Sequence, residues 1–428
     1  KKKTIDQVLR STWQAIAKMY NEEASKYNSS MAAGFALLSI DPKKGTPSTS
    51  LGPKMGMEAT SLSRTLKSLE AKKLIKRKPN PNDGRSVLIY LTEKGKIHRD
   101  LSRVAVLKFN QAIKNEIGDK SLENFHNTIK KIIKMSGTGL HSGVPSNLII
   151  SPASAEYGIW FRRVDISDCD NLIPARYDAV SNTQLCTRIS NSDGVEVSTI
   201  EHLMAALAGT GIHNAIIDVD GPEIPIMDGS SAPFVSAILK AGIQKLNTPI
   251  RVIRILEPVK VVVDDCEVSL SPSETLKMNF EIDFEEAAIG FQEKKLNMAN
   301  GSFVRELSNC RTFVRRSDVD HLQSMGLALG GSLDNAIVVD KDVVLNPEGY
   351  RRKDECVGHK MLDALGDLYL AGAPILGEYK GKRAGHRATN LLLHALFSQS
   401  HAWEMVECPS HISHDLPGAD ISWDDFVQ

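Results

Sequence analysis

The sequence predicts an α+β protein in two parts, a mostly helical front part and a back part of alternating short strands and helices. Residues 4–40 carry apolar side chains at helical spacing, whereas strand-like and helix-like stretches alternate from about Asn127 onward. The charge divides in the same way. Residues 1–125 hold 24 Lys and Arg against 12 Asp and Glu, and the remainder holds 28 against 40. A length of 428 residues is sufficient for two or more domains.

The cysteines and the hydropathy indicate the compartment. The six cysteines are scattered through the back part, and none forms a C-x-x-C pair. This usage is typical of reduced thiols rather than of a disulfide framework. No apolar run approaches the ~18 residues of a membrane span. The basic N-terminus lacks the continuous apolar core of a signal peptide. We therefore expect a soluble, cytoplasmic protein.

The front part contains an amphipathic helix after its first helical stretch. "MEATSLSRTLKSLEAKKLI" (57–75) has Leu62, Leu66 and Leu69 on one apolar stripe, with basic and hydroxyl side chains off that stripe. The preceding stretch, 41–56, contains Pro and Gly and separates this helix from the earlier helices. The sequence therefore predicts two successive helical regions joined by a loop.

A β-hairpin is predicted directly after this helix. "KRKPNPNDGRSVLIYLTEKG" (76–95) alternates apolar and polar residues, with its turn expected at Asp83-Gly84, and a helix from about Glu93 to Phe109 follows. Helix, helix, hairpin is the order of a winged helix-turn-helix, in which the second helix fills the major groove of DNA. A helix or a hairpin of this kind, taken alone, is more often an ordinary structural element than part of a DNA-binding domain. Their order together with the basic charge favours DNA binding.

The front part resembles the MarR family of bacterial regulators over about residues 4–125. The stretch 59–95 is similar to that family's recognition helix and its Asp-x-Arg wing. The resemblance implies double-stranded DNA as the partner of this part. Family members dimerise through terminal helices, and here the last one, "GDKSLENF" (118–125), is expected to stop early. The residues placed near bases or phosphates are Ser61, Ser63, Arg64 and Lys67, with Arg85 at the wing tip.

One stretch of the back part aligns three ionisable residues. "HKMLDALGD" (359–367) places His359, Asp363 and Asp367 at four-residue steps, which fall on one stripe of a helix. An imidazole and a carboxylate one turn apart suit a catalytic zinc site with three protein ligands and an open position. His202 is the candidate for the third ligand. The alternative is a plain surface pair on a helix.

Two other stretches place polar residues at predicted helix starts. "STIEHLMAALAG" (198–209) opens with Ser and Thr as expected helix caps, and Glu201 and His202 follow side by side. In "AGHRATNLLLHALF" (384–397), His386 follows a short basic strand and precedes an apolar helix. A His at such a junction either projects into a cleft or caps the helix.

These stretches together resemble the UDP-3-O-acyl-N-acetylglucosamine deacetylases of lipid A synthesis, over about residues 127–408. The resemblance implies a two-layer sandwich of two α+β domains with the active site between them, and an apolar passage for an acyl chain. The expected domains are 1–125, 126–247 and 248–428. The motifs that carry the resemblance are "GTGLHSG" (137–143), "STIEHLMAALAG" (198–209), "PEIPIMDGSSAPF" (222–234), "CRTFV" (310–314), "LGGSLDNAIVVD" (329–340), "HKMLDALGDL" (359–368) and "AGH" (384–386).

The resemblance also implies a role for individual residues. It makes His202, His359 and Asp363 the zinc ligands and Glu201 the general base. The other implied roles are an oxyanion-stabilising hydroxyl on Thr312, a charged imidazole on His386 that Asp367 orients, a substrate contact by Lys360, and an acyl passage lined by Leu140 and Phe313.

Functions from different classes remain open at this point. One is a zinc-dependent hydrolase that deacetylates UDP-3-O-acyl-N-acetylglucosamine and carries a DNA-binding module. Another is a transcription regulator whose back part senses a ligand, and a third is a zinc amidohydrolase for another N-acyl substrate. A sensor needs no general base beside a metal ligand, so Glu201 separates these functions. No Gly/Ser- or Pro-rich linker lies between Lys120 and Met135, and a natural fusion and an artificial join both remain open.

Overall fold

The chain divides into two compact units, which we call the front unit (1–126) and the back unit (127–428). The computed structural model describes residues 5–48, 51, 59–80, 83–118 and 132–427. Each unit has an apolar core of its own. Separate cores are expected when two parts of a chain fold as separate domains.

The front unit combines helices with a small antiparallel sheet. The strand order is β1-β3-β2. The order α2, α3, β2, β3 confirms the predicted helix, helix, hairpin arrangement of a winged helix-turn-helix. The elements described are α1 (Ile5–Ser25), α2 (Met31–Ser39), β1 (Thr46–Pro47), α3 (Ala59–Ala71), β2 (Ile75–Asn80), β3 (Asp83–Leu91) and α4 (Glu93–Ile117).

The apolar stripe of α3 packs into the core of the front unit. Leu62, Leu66 and Leu69 are all buried, as the sequence predicts. Helix α4 begins at a conventional cap, because the Thr92 hydroxyl accepts a hydrogen bond from the amide of Gly95 at 3.0 Å. Apolar spacing and capping together account for these two helices.

The predicted hairpin turn at Asp83-Gly84 is wrong. Both residues lie in β3, and Asp83 pairs with Asn80 of β2. The register shifts between Pro79 and Asn80, and Pro79 lacks the amide hydrogen that a regular ladder needs. The turn therefore does not lie at Asp83-Gly84, and residues 81–82 lie outside the described residues.

The predicted end of α4 at Phe109 is also wrong. The helix continues to Ile117, since residues 110–117 contain no Gly or Pro that would interrupt it. It ends where Gly118 adopts a φ of +77° and donates its amide hydrogen to the carbonyl of Lys114 at 2.9 Å. Residues 119–131 lie outside the described residues, so the early stop of a last helix at 118–125 stays a prediction.

The back unit alternates short strands and helices, as predicted. Among the helices of the described ranges, none has the length and apolar character to cross a bilayer. The strands are β4 (Ile133–Thr138), β5 (Pro145–Pro152), β6 (Ile159–Arg163), β7 (Leu172–Pro174), β8 (Val180–Asn182), β9 (Arg188–Ser190), β10 (Glu196–Val197), β11 (Ala215–Val219), β12 (Arg251–Ile255), β13 (Val259–Val263), β14 (Cys266–Pro272), β15 (Lys277–Asp283), β16 (Phe291–Asn297), β17 (Phe313–Arg315), β18 (Ile337–Asp340), β19 (Val343–Val344), β20 (Ile375–Lys382) and β21 (Trp403–Glu407). The α-helices are α5 (Glu201–Gly209), α6 (Ala232–Ala241), α7 (Ser302–Glu306), α8 (Arg316–Ser324), α9 (Glu355–Leu368), α10 (His386–Ser398) and α11 (Trp423–Val427).

Two large mixed sheets organise the back unit. One has the strand order β4-β5-β11-β6-β7. The other has the order β13-β14-β20-β12-β21, and β15 joins it beside β20 and pairs with β16. A single apolar core contains Leu148 from the first sheet and Phe280 from the second. Leu203 of α5 and Leu362 of α9 belong to the same core. The back unit is therefore α+β, and its division at 247/248 stays a prediction.

Helices α5 and α9 approach each other closely at Gly366. A Cβ atom at this position would lie 2.1 Å from the carbonyl oxygen of Glu201 and 3.1 Å from the amide nitrogen of Ala205. No side chain fits such a gap without moving a backbone. The absence of a side chain at Gly366 brings the start of α5 against the last turns of α9.

The predicted Ser-Thr cap of α5 is wrong. Ile200 precedes the helix, and no side chain caps it. Thr199 has a φ of +58° and donates its hydroxyl to Glu223 Oε1 at 2.8 Å, while Ser198 donates to the carbonyl of Pro222 at 3.1 Å. Glu223 is buried and requires donors, which explains why it takes the hydroxyl that the sequence assigned to the cap.

Candidate active site

The stripe on α9 lies in the interior, not on a solvated face. His359, Asp363 and Asp367 are all at least 95% buried, and α5 brings His202 to the same point. The ligand atoms of His202, His359 and Asp363 lie within 4.8 Å of one another. Asp363 Oδ1 is 3.3 Å from His359 Nε2 and 3.5 Å from His202 Nε2. The three residues expected from the sequence to hold a metal therefore converge.

The surroundings of His359 and Asp363 leave each of them with an available ligand atom. His359 Nδ1 is 3.1 Å from the carbonyl oxygen of Cys310, so Nδ1 donates and Nε2 keeps its lone pair. Burial lowers the pKa of His359 to about 3, which leaves the ring neutral. Asp363 Oδ1 is buried without a hydrogen-bond partner. An orphaned carboxylate oxygen facing the Nε2 atoms of two imidazoles is an arrangement that a divalent cation would satisfy.

Lys360 keeps the carboxylate of Asp363 ionised. Burial alone would raise the pKa of Asp363, but the positive charge around it, including that of Lys360, holds it well below its ordinary value. Lys360 Nζ donates to Asp363 Oδ2 at 3.0 Å. Burial lowers the pKa of Lys360, but the attraction and hydrogen bond of Asp363, together with the charges of Asp367 and Glu201, leave it raised overall. The substrate contact that the resemblance implies for Lys360 thus begins from a charged ammonium beside the cluster.

Glu201 occupies the first position of α5, beside His202. Its side chain is buried, and its Oε2 accepts a hydrogen bond from the amide of Thr187 at 3.0 Å. Its Oε1 lies 3.9 Å from His386 Nε2. Burial raises the pKa of the Glu201 carboxyl above its ordinary value. A carboxylate in this environment is suited to accept a proton.

His386 and Asp367 form a buried pair, as expected from the resemblance. His386 Nδ1 lies 2.8 Å from Asp367 Oδ2, and Gly385 precedes His386 at the start of α10. Burial alone would lower the pKa of His386, but Asp367 raises it to about 9. His386 is therefore an imidazolium at neutral pH. Its side chain points toward Glu201 and makes no cap for α10.

The remaining site residues of the back unit lie at different distances from the cluster. The Phe313 ring lies 6.3 Å from the His359 ring. Thr312 is half-buried, two residues beyond Cys310, and donates its amide hydrogen to the carbonyl of Gly229 at 2.8 Å. Leu140 lies in the loop between β4 and β5, where its carbonyl accepts from Gly330 at 3.0 Å. Lining of an acyl passage by Phe313 and Leu140 stays a prediction.

Two groups that contribute to the site were not predicted from the sequence. The Cys310 carbonyl that holds His359 is a backbone group and leaves no residue-type signal. Thr187 donates its amide to Glu201 and its hydroxyl to Asp367 Oδ1 at 2.6 Å, although 180 positions separate it from Asp367. No spacing rule connects residues so distant. "QLCTRIS" (184–190) also carries no recognisable motif.

The front unit presents its candidate DNA-binding residues to solvent. Ser61, Ser63, Arg64 and Lys67 are all exposed on α3. Arg85 lies in β3, and its side chain is outside the described residues. Exposed hydroxyl and basic side chains on one helix are the groups that contact phosphates and base edges.

The arrangement in the back unit defines a class of protein. Two imidazoles and a carboxylate meeting at one point, with a second carboxylate and an imidazolium beside them, are typical of metal-dependent hydrolases. Comparison with known families narrows the class. Residues 126–398 match the UDP-3-O-acyl N-acetylglycosamine deacetylase family, and the chain belongs to this family.

Named relatives agree with this assignment. The chain is 47% identical over 281 residues to the UDP-3-O-acyl-N-acetylglucosamine deacetylase of Phenylobacterium zucineum, a match covering 66% of this chain and 96% of the relative. It is 48% identical over 279 residues to the enzyme of that name from Vibrio parahaemolyticus, covering 65% of this chain and 91% of the relative. The shared part thus spans nearly the whole relative but only two thirds of this chain.

The front unit matches a second family. Residues 30–87 match the MarR family. A solved MepR–DNA complex from S. aureus is 18% identical, with a TM-score of 0.29 and coverage of 30% of this chain and 96% of that chain. The family match covers α2, α3, β2 and most of β3, which are the elements of the winged helix-turn-helix.

Proposed function

We propose that the back unit is a zinc-dependent deacetylase that hydrolyses the acetamide of UDP-3-O-acyl-N-acetylglucosamine, the committed step of lipid A biosynthesis. The observation that carries the proposal is the convergence of His202, His359 and Asp363 beside Glu201 and His386. The names of the relatives supply the substrate. All six cysteines are free, which supports a cytoplasmic location.

The distances from Asp363 to the two imidazoles support zinc. Ligand atoms about 2.0–2.1 Å from a tetrahedral zinc ion lie roughly 3.3 Å from each other. Asp363 Oδ1 is 3.3 Å from His359 Nε2 and 3.5 Å from His202 Nε2. Three protein ligands leave a fourth position open, as in catalytic zinc sites. Zinc bound there would lower the pKa of a coordinated water to about 7 and polarise a carbonyl.

Glu201 is the group that removes the proton from the attacking water. Its Oε2 is held by the Thr187 amide, which leaves Oε1 free to face the reacting atoms. It directly precedes His202 at the start of α5, which supports a position beside the metal cluster. The water oxygen forms a bond to the acetamide carbon as its proton passes to Glu201.

His386 and Thr312 serve the later part of the reaction. The His386 imidazolium and the Thr312 hydroxyl stabilise the negative charge that develops on the acetamide oxygen. When the carbon–nitrogen bond breaks, the amine takes a proton from His386, and acetate leaves. Asp367 keeps the imidazole charged and oriented through the 2.8 Å contact with Nδ1. The Lys360 ammonium is available to contact the substrate beside Asp363.

Metal content and substrate turnover test the proposal together. The purified chain is expected to contain about one zinc per back unit and to release acetate from UDP-3-O-acyl-N-acetylglucosamine. A chelator is expected to abolish the release and added zinc to restore it. Full activity after zinc removal, or zinc binding with turnover only of another N-acyl compound, would contradict the proposal.

Substitution of Glu201 separates an enzyme from a ligand sensor. Glu201→Ala is expected to retain zinc and to lower kcat by about 10²–10⁴-fold, the usual contribution of a general base. Glu274→Ala, which changes an exposed carboxylate between β14 and β15, is the matched control and should leave kcat unchanged. Full activity in Glu201→Ala would contradict the base assignment.

We also propose that the front unit binds double-stranded DNA. The exposed side chains of Ser61, Ser63, Arg64 and Lys67 on α3 favour it, as does the excess of 24 basic over 12 acidic residues in 1–125. Binding to phosphates by such a surface weakens steeply with salt. The absence of salt-dependent binding to any duplex would contradict this second proposal.

A further inference from the structure

Four buried residues of the back unit form a closed ring of contacts that includes the two proton-transfer groups. Thr187 contacts Glu201 and Asp367, Asp367 contacts His386, and His386 Nε2 lies 3.9 Å from Glu201 Oε1. Each of the four is at least 92% buried. Thr187 is the one member of the ring that has no ionisable group.

Both hydrogen-bonding groups of Thr187 face the ring. Its amide donates to Glu201 Oε2 at 3.0 Å, and its hydroxyl donates to Asp367 Oδ1 at 2.6 Å. Its carbonyl accepts from the amide of Ile200 at 3.4 Å, which ties it to the residue preceding Glu201. Thr187 is therefore fixed to the start of α5 through its backbone and to the last turn of α9 through its side chain.

The two oxygens of Asp367 divide their contacts. Oδ1 accepts from Thr187, and Oδ2 accepts from His386 Nδ1 at 2.8 Å. A buried carboxylate with only one donor would leave an oxygen unsatisfied, and it would turn or draw in water to find a partner. The Thr187 hydroxyl removes this freedom. The direction in which Asp367 holds the imidazole therefore depends on Thr187.

We propose that Thr187 is a positioning residue that sets the separation of the base Glu201 and the imidazole of His386 by holding Glu201 and Asp367 at once. It acts through these two carboxylates and touches no reacting atom. The inference rests on the proposed function, because it assigns those groups to proton transfer. It also explains why a threonine outside every recognised motif is buried at this point.

Two substitutions separate the hydroxyl from the rest of the side chain. Thr187→Val keeps the volume and the amide donor but removes the donor to Asp367, whereas Thr187→Ser keeps the hydroxyl. Thr187→Val is expected to lower kcat by roughly tenfold to a hundredfold, the range for a lost orienting contact, with KM and zinc content unchanged. Thr187→Ser should stay within about threefold of the wild type.

A double substitution tests whether Thr187 acts through Asp367. In an Asp367→Ala background the hydroxyl has no carboxylate to hold, so adding Thr187→Val is expected to change kcat by less than about twofold. If the fold losses in kcat of the two single variants multiply in the double variant, the two residues act independently and the inference is overturned. Full kcat in Thr187→Val, or equal losses in the Ser and Val variants, would also overturn it. Should Thr187→Val not fold, Thr187→Ala takes its place with the same expectations.

An NMR measurement makes the inference independent of turnover. The imidazole proton between His386 Nδ1 and Asp367 is followed in protein labelled with ¹⁵N-histidine and is assigned by its loss in His386→Gln. Its signal should shift or broaden in Thr187→Val and match the wild type in Thr187→Ser. An unchanged signal in Thr187→Val would overturn the inference. A wild-type chain that fails to deacetylate its substrate while the signal shifts would overturn the proposed function alone.

Discussion

The two units of this chain carry their candidate functional residues in opposite environments. The front unit exposes Arg64 and Lys67 on one helix, whereas the back unit buries Glu201, Asp367 and His386 in a mutually bonded group. An exposed charge acts through its position on a surface, and water screens its neighbours. A buried charge depends on each of its partners. Loss of one contact should therefore matter far more in the back unit than in the front unit.

The two aspartates of α9 provide the sharpest contrast inside the buried group. Asp363→Ala removes a metal ligand and is expected to abolish both zinc binding and turnover. Asp367→Ala removes the partner of His386 and is expected to keep zinc but lower kcat by roughly tenfold to a hundredfold. Metal analysis and steady-state kinetics on both variants check this, with Asp342→Ala on the surface as control. Equal metal loss in the two variants would contradict the division of roles.

Two ion pairs of equal length compare the units in stability. Arg311 Nε and Glu355 Oε1 are 2.9 Å apart in the back unit, with 1% and 0% of the two side chains exposed. Arg77 Nε and Glu70 Oε2 are also 2.9 Å apart in the front unit, with 35% and 44% exposed.

Arg311→Met leaves Glu355 buried without its partner, so it is expected to destabilise its unit by about 3–5 kcal/mol. Arg77→Met should cost no more than about 1 kcal/mol in the front unit. Hydrogen exchange, measured by mass spectrometry on peptides from each unit, gives the loss in the free energy of unfolding of each unit separately. Similar costs at both sites would mean that burial does not decide the value of these pairs.

The pH dependence of kcat tests the His386–Asp367 pair. The pKa of His386 is raised to about 9, so the active imidazolium persists at neutral pH and kcat should fall as the pH rises through about 9. Asp367→Asn removes the charge that raises this pKa, and the alkaline limb should move toward the ordinary value of ~6.5. Kinetics between pH 6 and 10 measure the alkaline limb of the wild type and that of Asp367→Asn. A limb that stays in place in Asp367→Asn would contradict the role of the pair.

The same pair links stability to pH with a definite sign. Because the folded-state pKa of His386 lies above the ordinary ~6.5, the imidazolium stabilises the fold most fully below that pH. This contribution is lost as the pH rises through about 9. Asp367→Asn should flatten the dependence, which unfolding measured across the same pH range would detect.

The smallest effects are expected on the surface of the front unit. Each of Arg64→Ala and Lys67→Ala should weaken duplex binding and reduce the slope of log K against log salt by about one if it removes one phosphate contact. Fluorescence anisotropy over a salt series measures the slope. Lys18→Ala on α1 is the control, since its exposed ammonium faces Glu22 of the same helix. An unchanged slope in both α3 variants would place the DNA-binding surface elsewhere.

Local patterns in the sequence predicted much of this arrangement. The spacing of Leu62, Leu66 and Leu69 predicted the buried stripe of α3, and the four-residue steps of His359, Asp363 and Asp367 predicted one face of α9. Such patterns repeat within one element and report its geometry directly. The family resemblance then joined α9 to Glu201, His202 and His386, which no local rule connects.

The errors and omissions have two causes: distant groups determine the contacts of Thr199 and Thr187, whereas a local register shift accounts for the hairpin. Thr199 serves the buried Glu223 instead of capping α5, and the register shift beside Pro79 moves the hairpin turn away from Asp83. Thr187 was missed because its partners lie 14 and 180 positions away. Hydrogen-bond satisfaction across the fold decides such cases, and a single sequence does not display it.

Because Gly366 has no side chain, the helix that carries the proposed general base packs directly against α9. A methyl group there would meet the Glu201 carbonyl at 2.1 Å and wedge α5 away from α9. Displacements of about 1 Å are enough to cost roughly a hundredfold in rate. Gly366 has no side-chain charge or side-chain hydrogen bond. It nevertheless sets the spacing of the helices that hold the proton-transfer groups.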